Sequence, residues 1–154
     1  MNSNPNGDSE CYGLKTINRM INYKKIMLVD DDIDDRQIFE QILLETDARI
    51  LLECAGNGLG MIALLDKTAD DALPDLIILD QNMPKMSGKE SLLFLKDNTR
   101  YRHIPVIIYS TCQAEDFYDE CLRLGAQDVV DKPDTIQSYR EMIDHFLHPA
   151  PSTG

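Results

Sequence analysis

Asp30 and Asp31, Asp80, and Lys132 each stand at the end of a short apolar run: Ile26–Val29, Leu76–Leu79 and, less cleanly, Val129–Val130. If these runs are neighbouring parallel strands, their ends gather a carboxylate cluster and one ammonium at a single edge of a sheet. Carboxylates that close repel, at roughly 4 kcal/mol per ionised pair for ~4 Å and an effective dielectric of about 20. A fold keeps such a cluster only if something cancels the charge, and a hard divalent cation such as Mg²⁺ suits oxygen donors. The cluster is the strongest functional signal in the chain.

The elements that must position these residues alternate regularly. Lys25–Val29 is a continuous apolar run suited to a strand buried on both faces. Residues 34–45 follow as a helix with Ile38, Ile42 and Leu43 at helical spacing. A strand is expected over 50–54, a helix over 58–66, and a third strand over 76–80 behind Pro74. Residues 88–96 supply Leu92, Leu93 and Leu95 to a helix. A fourth strand, 106–110, follows Pro105, and a helix over 114–124 is ended by Gly125. A short strand at 128–131 precedes a last helix at 135–147, with Ile136, Tyr139, Met142, Ile143 and Phe146 on one face. Five strand–helix units in a row predict a doubly wound parallel sheet with helices on both sides. Ligands bind such sheets beyond the carboxyl ends of the strands, where the residues named above fall.

Bulk properties bound the remaining choices. At 154 residues the chain is one domain of ordinary size, with 43% apolar and 27% charged residues. A formal charge of −12 disfavours non-specific nucleic-acid binding. No stretch approaches the ~20 apolar residues that span a bilayer, and the first 24 residues lack a signal-peptide core. Cys11, Cys54, Cys112 and Cys121 show no CxxC or paired spacing, which fits reduced, mostly buried thiols and a cytoplasmic location. His145 and His148 read as cations at a helix C-terminus. Residues 1–22 read as a flexible extension, 23–148 as the folded domain and 149–154 as a flexible tail.

Bland readings account for several other motifs. Asp32, Asp34 and Asp35 suit the N-terminus of a helix. Gly56-Asn-Gly-Leu-Gly60 has Met61 where a dinucleotide fingerprint needs glycine, so it reads as a turn. Ser110 lacks a GxSxG elbow, and His103 precedes its strand, so a hydrolase triad is unsupported.

Four stretches together resemble the receiver (response regulator) family of two-component signalling: Ile26-Met-Leu-Val-Asp-Asp-Asp32, Pro74-Asp-Leu-Ile-Ile-Leu-Asp-Gln-Asn-Met-Pro-Lys-Met-Ser-Gly88, Ile104-Pro-Val-Ile-Ile-Tyr-Ser110 and Gly125-Ala-Gln-Asp-Val-Val-Asp-Lys-Pro133. The resemblance runs from about Tyr23 to Leu147. It implies an α/β fold, flavodoxin-like and CheY-like, with five parallel strands in the order 2-1-3-4-5. It also implies that Asp80 accepts a phosphoryl group from a sensor histidine kinase or histidine phosphotransfer protein. Asp31 would bind Mg²⁺ directly, Asp30 mainly through water, and the backbone carbonyl of Asn82 would complete the set with Asp80. Ser110 would be the switch hydroxyl, Lys132 would pair with the phosphoryl group, and Lys132-Pro133 would form a cis peptide.

Such a domain is a signalling switch that catalyses only its own phosphorylation and dephosphorylation. With no attached DNA-binding domain, its output would be a protein contact or onward phosphotransfer. The face built from 114–124, 128–131 and 135–147 would carry that contact, a homodimer being one form of it. The chain departs from the family at Val129, where a switch aromatic is common, and at Thr111, where Ala or Gly is common, while Cys112, two residues after Ser110, stands where side chains often tune dephosphorylation. Tyr109 should point to the opposite side of its strand from Ser110. Two other readings remain. One is a Mg²⁺-dependent aspartyl phosphohydrolase, for which Asn82 lacks the second carboxylate. The other is a receiver-fold interaction module that works without phosphorylation.

Overall fold

The computed structural model describes residues 22–111 and 114–148. Five strands, β1 (Lys25–Val29), β2 (Leu51–Ala55), β3 (Leu76–Asp80), β4 (Val106–Ser110) and β5 (Asp128–Asp131), form one parallel sheet in the order β2-β1-β3-β4-β5. Five α-helices alternate with them: α1 (Ile33–Thr46), α2 (Gly58–Asp66), α3 (Gly88–Lys96), α4 (Glu115–Arg123) and α5 (Ile136–Leu147). A single 3₁₀ turn, Asp70–Ala72, leads into β3. The expected fold and strand order are the ones observed.

Alternation along the strands divides the interior into two cores. Leu28, Ile78, Ile107 and Tyr109 face α1 and α5, meeting Phe39, Ile42, Leu43, Ile143 and Phe146. Val29, Ile77, Leu79 and Ile108 face the other way, onto Met61, Leu65, Leu92, Leu95 and Cys121 of α2, α3 and α4. Central β3 and β4 are buried at every residue, whereas edge strand β2 leaves Leu51 and Cys54 exposed.

Side-chain caps fix where four of the five described helices begin, α4 starting at Ala114 without one. Asp32 caps α1, its side chain accepting from the amides of Asp34 and Asp35. Ser87 and Glu90 form a reciprocal capping box on α3, and Thr135 and Ser138 do the same on α5. Asn57 accepts from the Gly60 amide to cap α2, so the glycine-rich stretch is a bend only at Gly56 and Asn57 and continues as the first turn of that helix. Gly125 follows α4 with a φ of 109° and rests against the Lys96 stem, a conformation that excludes a side chain at low cost.

Several finer expectations are corrected. Ile38 is only partly buried and Phe39 takes the core position, because the helix phase that serves Ile42 and Leu43 also points residue 39 inward. Leu93 and Ile136 are 44% and 58% exposed. Leu93 lies beside the buried stripe of α3 rather than on it, and Ile136 sits in the first turn of α5, before the helix reaches the sheet. Cys121 is buried as expected, but Cys54 is exposed on the edge strand. The described backbone contains no cis peptide. Lys132–Pro133 therefore keeps the trans form, which X–Pro bonds favour by about 0.5–1 kcal/mol unless a turn demands otherwise. The readings made for residues 1–21, for Cys112 and for residues 149–154 lie outside the described residues.

Gly88 is the tightest backbone approach near the sheet edge. A Cβ there would stand 2.6 Å from the Asp80 carbonyl oxygen and 2.9 Å from Gln81 Cα, both backbone atoms that cannot swing aside. Gly88→Ala is expected to lower stability by about 1–3 kcal/mol in urea denaturation. An unchanged midpoint would show that the β3–α3 loop can yield.

Candidate functional site

Parallel register builds the site before any side chain is placed. Val29 pairs with Leu79, so Asp30 and Asp80 end adjacent strands side by side. Asp80 pairs with Tyr109, and Tyr109 with Val130. Residues in one cross-strand row share a face, here the face toward α1 and α5. Asp30 and Asp80 are both fully buried, while Asp31 is exposed at the rim. One ligand oxygen from each of Asp30, Asp31 and Asp80 lies within 4.8 Å of the others.

Lys132 reaches over this row from the end of β5. Its Nζ stands 2.9 Å from Asp80 Oδ2, 3.1 Å from Asp35 Oδ2 and 3.6 Å from Asp30 Oδ2. The Asp80 oxygens are divided between two donors, Oδ2 accepting from Lys132 and Oδ1 from the Asn82 amide at 3.1 Å. Asn82 Nδ2 also donates to Thr111 Oγ1 at 3.1 Å, a bridge from the loop after β3 to the end of β4. Ser110 is buried, and its carbonyl accepts from the Lys132 amide at 3.0 Å.

Two members of this network were not anticipated. Asp35 was read as a helix-dipole residue, and it is that and an ion-pair partner of Lys132 as well. Its place in the first turn of α1 is legible in the sequence, but the side of the helix it occupies relative to β5 is not. Tyr109 does point away from Ser110's side of β4, as expected, but that is the side on which the carboxylates sit. Its hydroxyl donates to Asp30 Oδ2, and its ring lies 5.3 Å from Lys132 Nζ.

The electrostatics follow from burial and sharing. Burial pushes the Asp80 carboxyl up to about 6, the Lys132 and Asn82 hydrogen bonds pull it down, and the Asp30 charge adds a further upward push. Burial alone would lower Lys132, but Asp80 and Asp35 outweigh it and hold the ammonium above its usual range. Burial, then the Asp30 charge, keeps the Tyr109 phenol protonated far above its usual range. Four carboxylates (Asp30, Asp31, Asp35 and Asp80) against one ammonium leave a strong negative excess. Hard oxygen donors in that state fit a divalent cation such as Mg²⁺.

The model of the response regulator receiver domain matches residues 26–144. The chain belongs to that family. As a receiver it is a module of two-component, phosphorylation-dependent signalling, a family that binds Mg²⁺ or Mn²⁺ at an acidic pocket. The two-component response regulator ARR3 of Arabidopsis thaliana is 34% identical over 113 residues, 70% of this chain and 49% of its own length. The receiver thus spans about half of that relative. Among solved structures, the Mn²⁺-bound form of response regulator Rcp1 superposes with a TM-score of 0.72 at 25% identity, covering 85% of this chain and 99% of that one. The phosphorylated cyanobacterial phytochrome response regulator RcpA also gives 0.72, at 27% identity, covering 83% and 96%. No helix among the described residues of the receiver is long and apolar enough to cross a membrane.

The raised Asp80 value has a consequence for stability. Asp80 rises from an ordinary 3.8 to about 6 in the folded receiver, which corresponds to ~3 kcal/mol of folded-state penalty for the ionised form. With the folded value above the unfolded one, the penalty is absent below about pH 4 and complete above about pH 6. In chelator, Asp80→Asn is expected to gain about 1–3 kcal/mol over wild type at pH 8 and little at pH 4.5, measured by denaturant unfolding. An equal difference at both pH values would contradict the assignment of the strain to Asp80.

Proposed function

We propose that this receiver, over residues 23–148, accepts a phosphoryl group on Asp80 and signals through protein contacts. The observation that carries the proposal is the environment of Asp80. It is a buried carboxylate with one oxygen on Lys132 and the other on the Asn82 amide, sharing its pocket with Asp30 and Asp31. The phosphorylated state of RcpA and the Mn²⁺-bound form of Rcp1 support extending both chemistries to this chain.

Asp80, ionised at neutral pH, attacks the phosphorus of a phosphohistidine on a sensor histidine kinase or histidine phosphotransfer protein. An O–P bond forms, the P–N bond breaks, and the imidazole nitrogen keeps the bonding pair. Asp31, Asp80 and the Asn82 carbonyl would hold Mg²⁺ directly, with Asp30 acting mainly through water. When bound, the cation supplies charge neutralisation to the phosphoryl oxygens. Lys132 already lies on Asp80 and needs only a short shift to follow the charge outward onto the transferred group. Asp35 holds Lys132 from the α1 side and limits that shift.

Ser110 ends β4 with its side chain on the sheet face opposite Tyr109. Drawing its hydroxyl to a phosphoryl oxygen would move the β4–α4 segment, a population shift between two packings. The α4, β5 and α5 face then carries the output to a protein target or a second copy of the chain. Asn82 offers an amide where an aspartyl phosphohydrolase would need an acid–base carboxylate, which favours an adduct on Asp80 over turnover of a phosphate ester.

Intact-mass analysis after incubation with acetyl phosphate tests this reading. Wild type with Mg²⁺ is expected to gain one phosphoryl group, and Asp80→Asn or chelation to abolish it. Release of phosphate without any adduct would favour a hydrolase. Neither adduct nor release would favour an interaction module independent of phosphorylation.

A further inference from the structure

Tyr109 has no part in phosphoryl transfer as set out for Asp80, Ser110 and Lys132, yet its contacts touch that machinery twice. The side chain is fully buried, and a phenol in that position costs free energy unless its hydroxyl finds a partner. The partner is Asp30 Oδ2, the same oxygen that stands 3.6 Å from Lys132 Nζ. The other Asp30 oxygen, Oδ1, accepts from the Asp32 amide at 2.9 Å. Both oxygens of this buried carboxylate are therefore held by neutral donors. The Tyr109 ring also lies under the Lys132 ammonium, 5.3 Å from centroid to Nζ, a distance at which the ring face attracts a cation.

These contacts decide how one ammonium is divided among several carboxylates. Asp30 and Asp80 are equally buried and adjacent, so burial alone gives Lys132 no preference between them. The Tyr109 hydroxyl removes that symmetry by occupying Asp30 Oδ2 and drawing down its charge, and the ring supports Lys132 where it meets Asp80 at 2.9 Å. We propose that Tyr109 is a positioning residue of the phosphoacceptor site, its hydroxyl restraining Asp30 so that Lys132 is delivered to Asp80. The role rests on Asp80 being the phosphoacceptor. It belongs to an aromatic on β4, whereas β5 carries Val129 at the place where an aromatic is common.

The test compares wild type with Tyr109→Phe, which keeps the ring and its volume. Mg²⁺ affinity is measured by calorimetry on the unphosphorylated protein, and adduct formation with acetyl phosphate by intact mass. Loss of a hydrogen bond to a charged group is expected to change each readout by about tenfold, in opposite senses. Mg²⁺ binds more tightly because Asp30 regains its full charge. The adduct forms more slowly because Asp30 now competes for Lys132. A residue that merely packs would leave both unchanged or lower both together, and either result overturns the proposal.

The Mg²⁺ measurement does not depend on phosphorylation. If wild type itself forms no adduct, the reading of Asp80 fails, and unchanged Mg²⁺ affinity in Tyr109→Phe still separately refutes the hold on Asp30. Should Tyr109→Phe not fold, the wild-type hydroxyl proton offers a second measurement. Donating to a buried carboxylate, it should exchange slowly, resonate downfield in selectively tyrosine-labelled protein, and move when Mg²⁺ is added. A resonance indifferent to Mg²⁺ overturns the proposal.

Discussion

Lys132 carries one positive charge and stands within 3.6 Å of three carboxylates, two of them fully buried. Most of the architecture at this edge of the sheet can be derived from that imbalance. A buried carboxylate without a cation or strong donors would protonate or open the fold. Here Asp80 receives Lys132 and an amide, Asp30 receives a phenol and an amide, and Asp35 anchors the ammonium from the helix side. The arrangement gives both oxygens of Asp30 and of Asp80 a donor and still leaves the cluster negative. It is stable enough to fold and unsatisfied enough to suit a divalent cation.

The scaffold supplies the precision that such a balance needs. Parallel pairing places Asp30, Asp80 and Tyr109 in one row without any choice of loop conformation. The Gly88 approach to the Asp80 carbonyl keeps the following loop folded back on the strand end, where the Asn82 amide can reach Asp80 Oδ1. The Asp32 cap begins α1 at the point that sends Asp35 toward Lys132. Each device is local, and each acts on the distance between charges. The site in this receiver thus holds like charges together at the edge of the sheet.

The sequence made the scaffold legible because its signals are one-dimensional. Apolar runs ending in Asp30, Asp80 and Lys132 mark the strands, and Gly125 and Asp32 mark helix ends within a residue. The family resemblance brought the same acidic residues and lysine together. Tyr109 was seen to face away from Ser110, but that it thereby faced Asp30 required knowing which face of β3 Asp80 occupies. The role of Asp35 depended on the phase of α1 relative to β5, which no spacing within α1 reveals. Helical spacing marks Ile38 with Ile42 and Leu43, and the phase of α1 leaves Ile38 partly buried against the core while Phe39 is buried within it. The trans bond before Pro133 departs from the resemblance and follows the intrinsic preference of the tertiary amide.

The central claim is that shared neutralisation of buried carboxylates governs this site, and Lys132→Met tests it most directly. Methionine preserves length and apolar volume but removes the charge. Thermal unfolding of wild type and variant would be followed across a Mg²⁺ titration at neutral pH. The account predicts that the variant melts below wild type in chelator, and that Mg²⁺ stabilises it more than it stabilises wild type. Identical Mg²⁺ dependence in the two proteins would contradict it, since the ammonium and the cation would then not be answering the same charge.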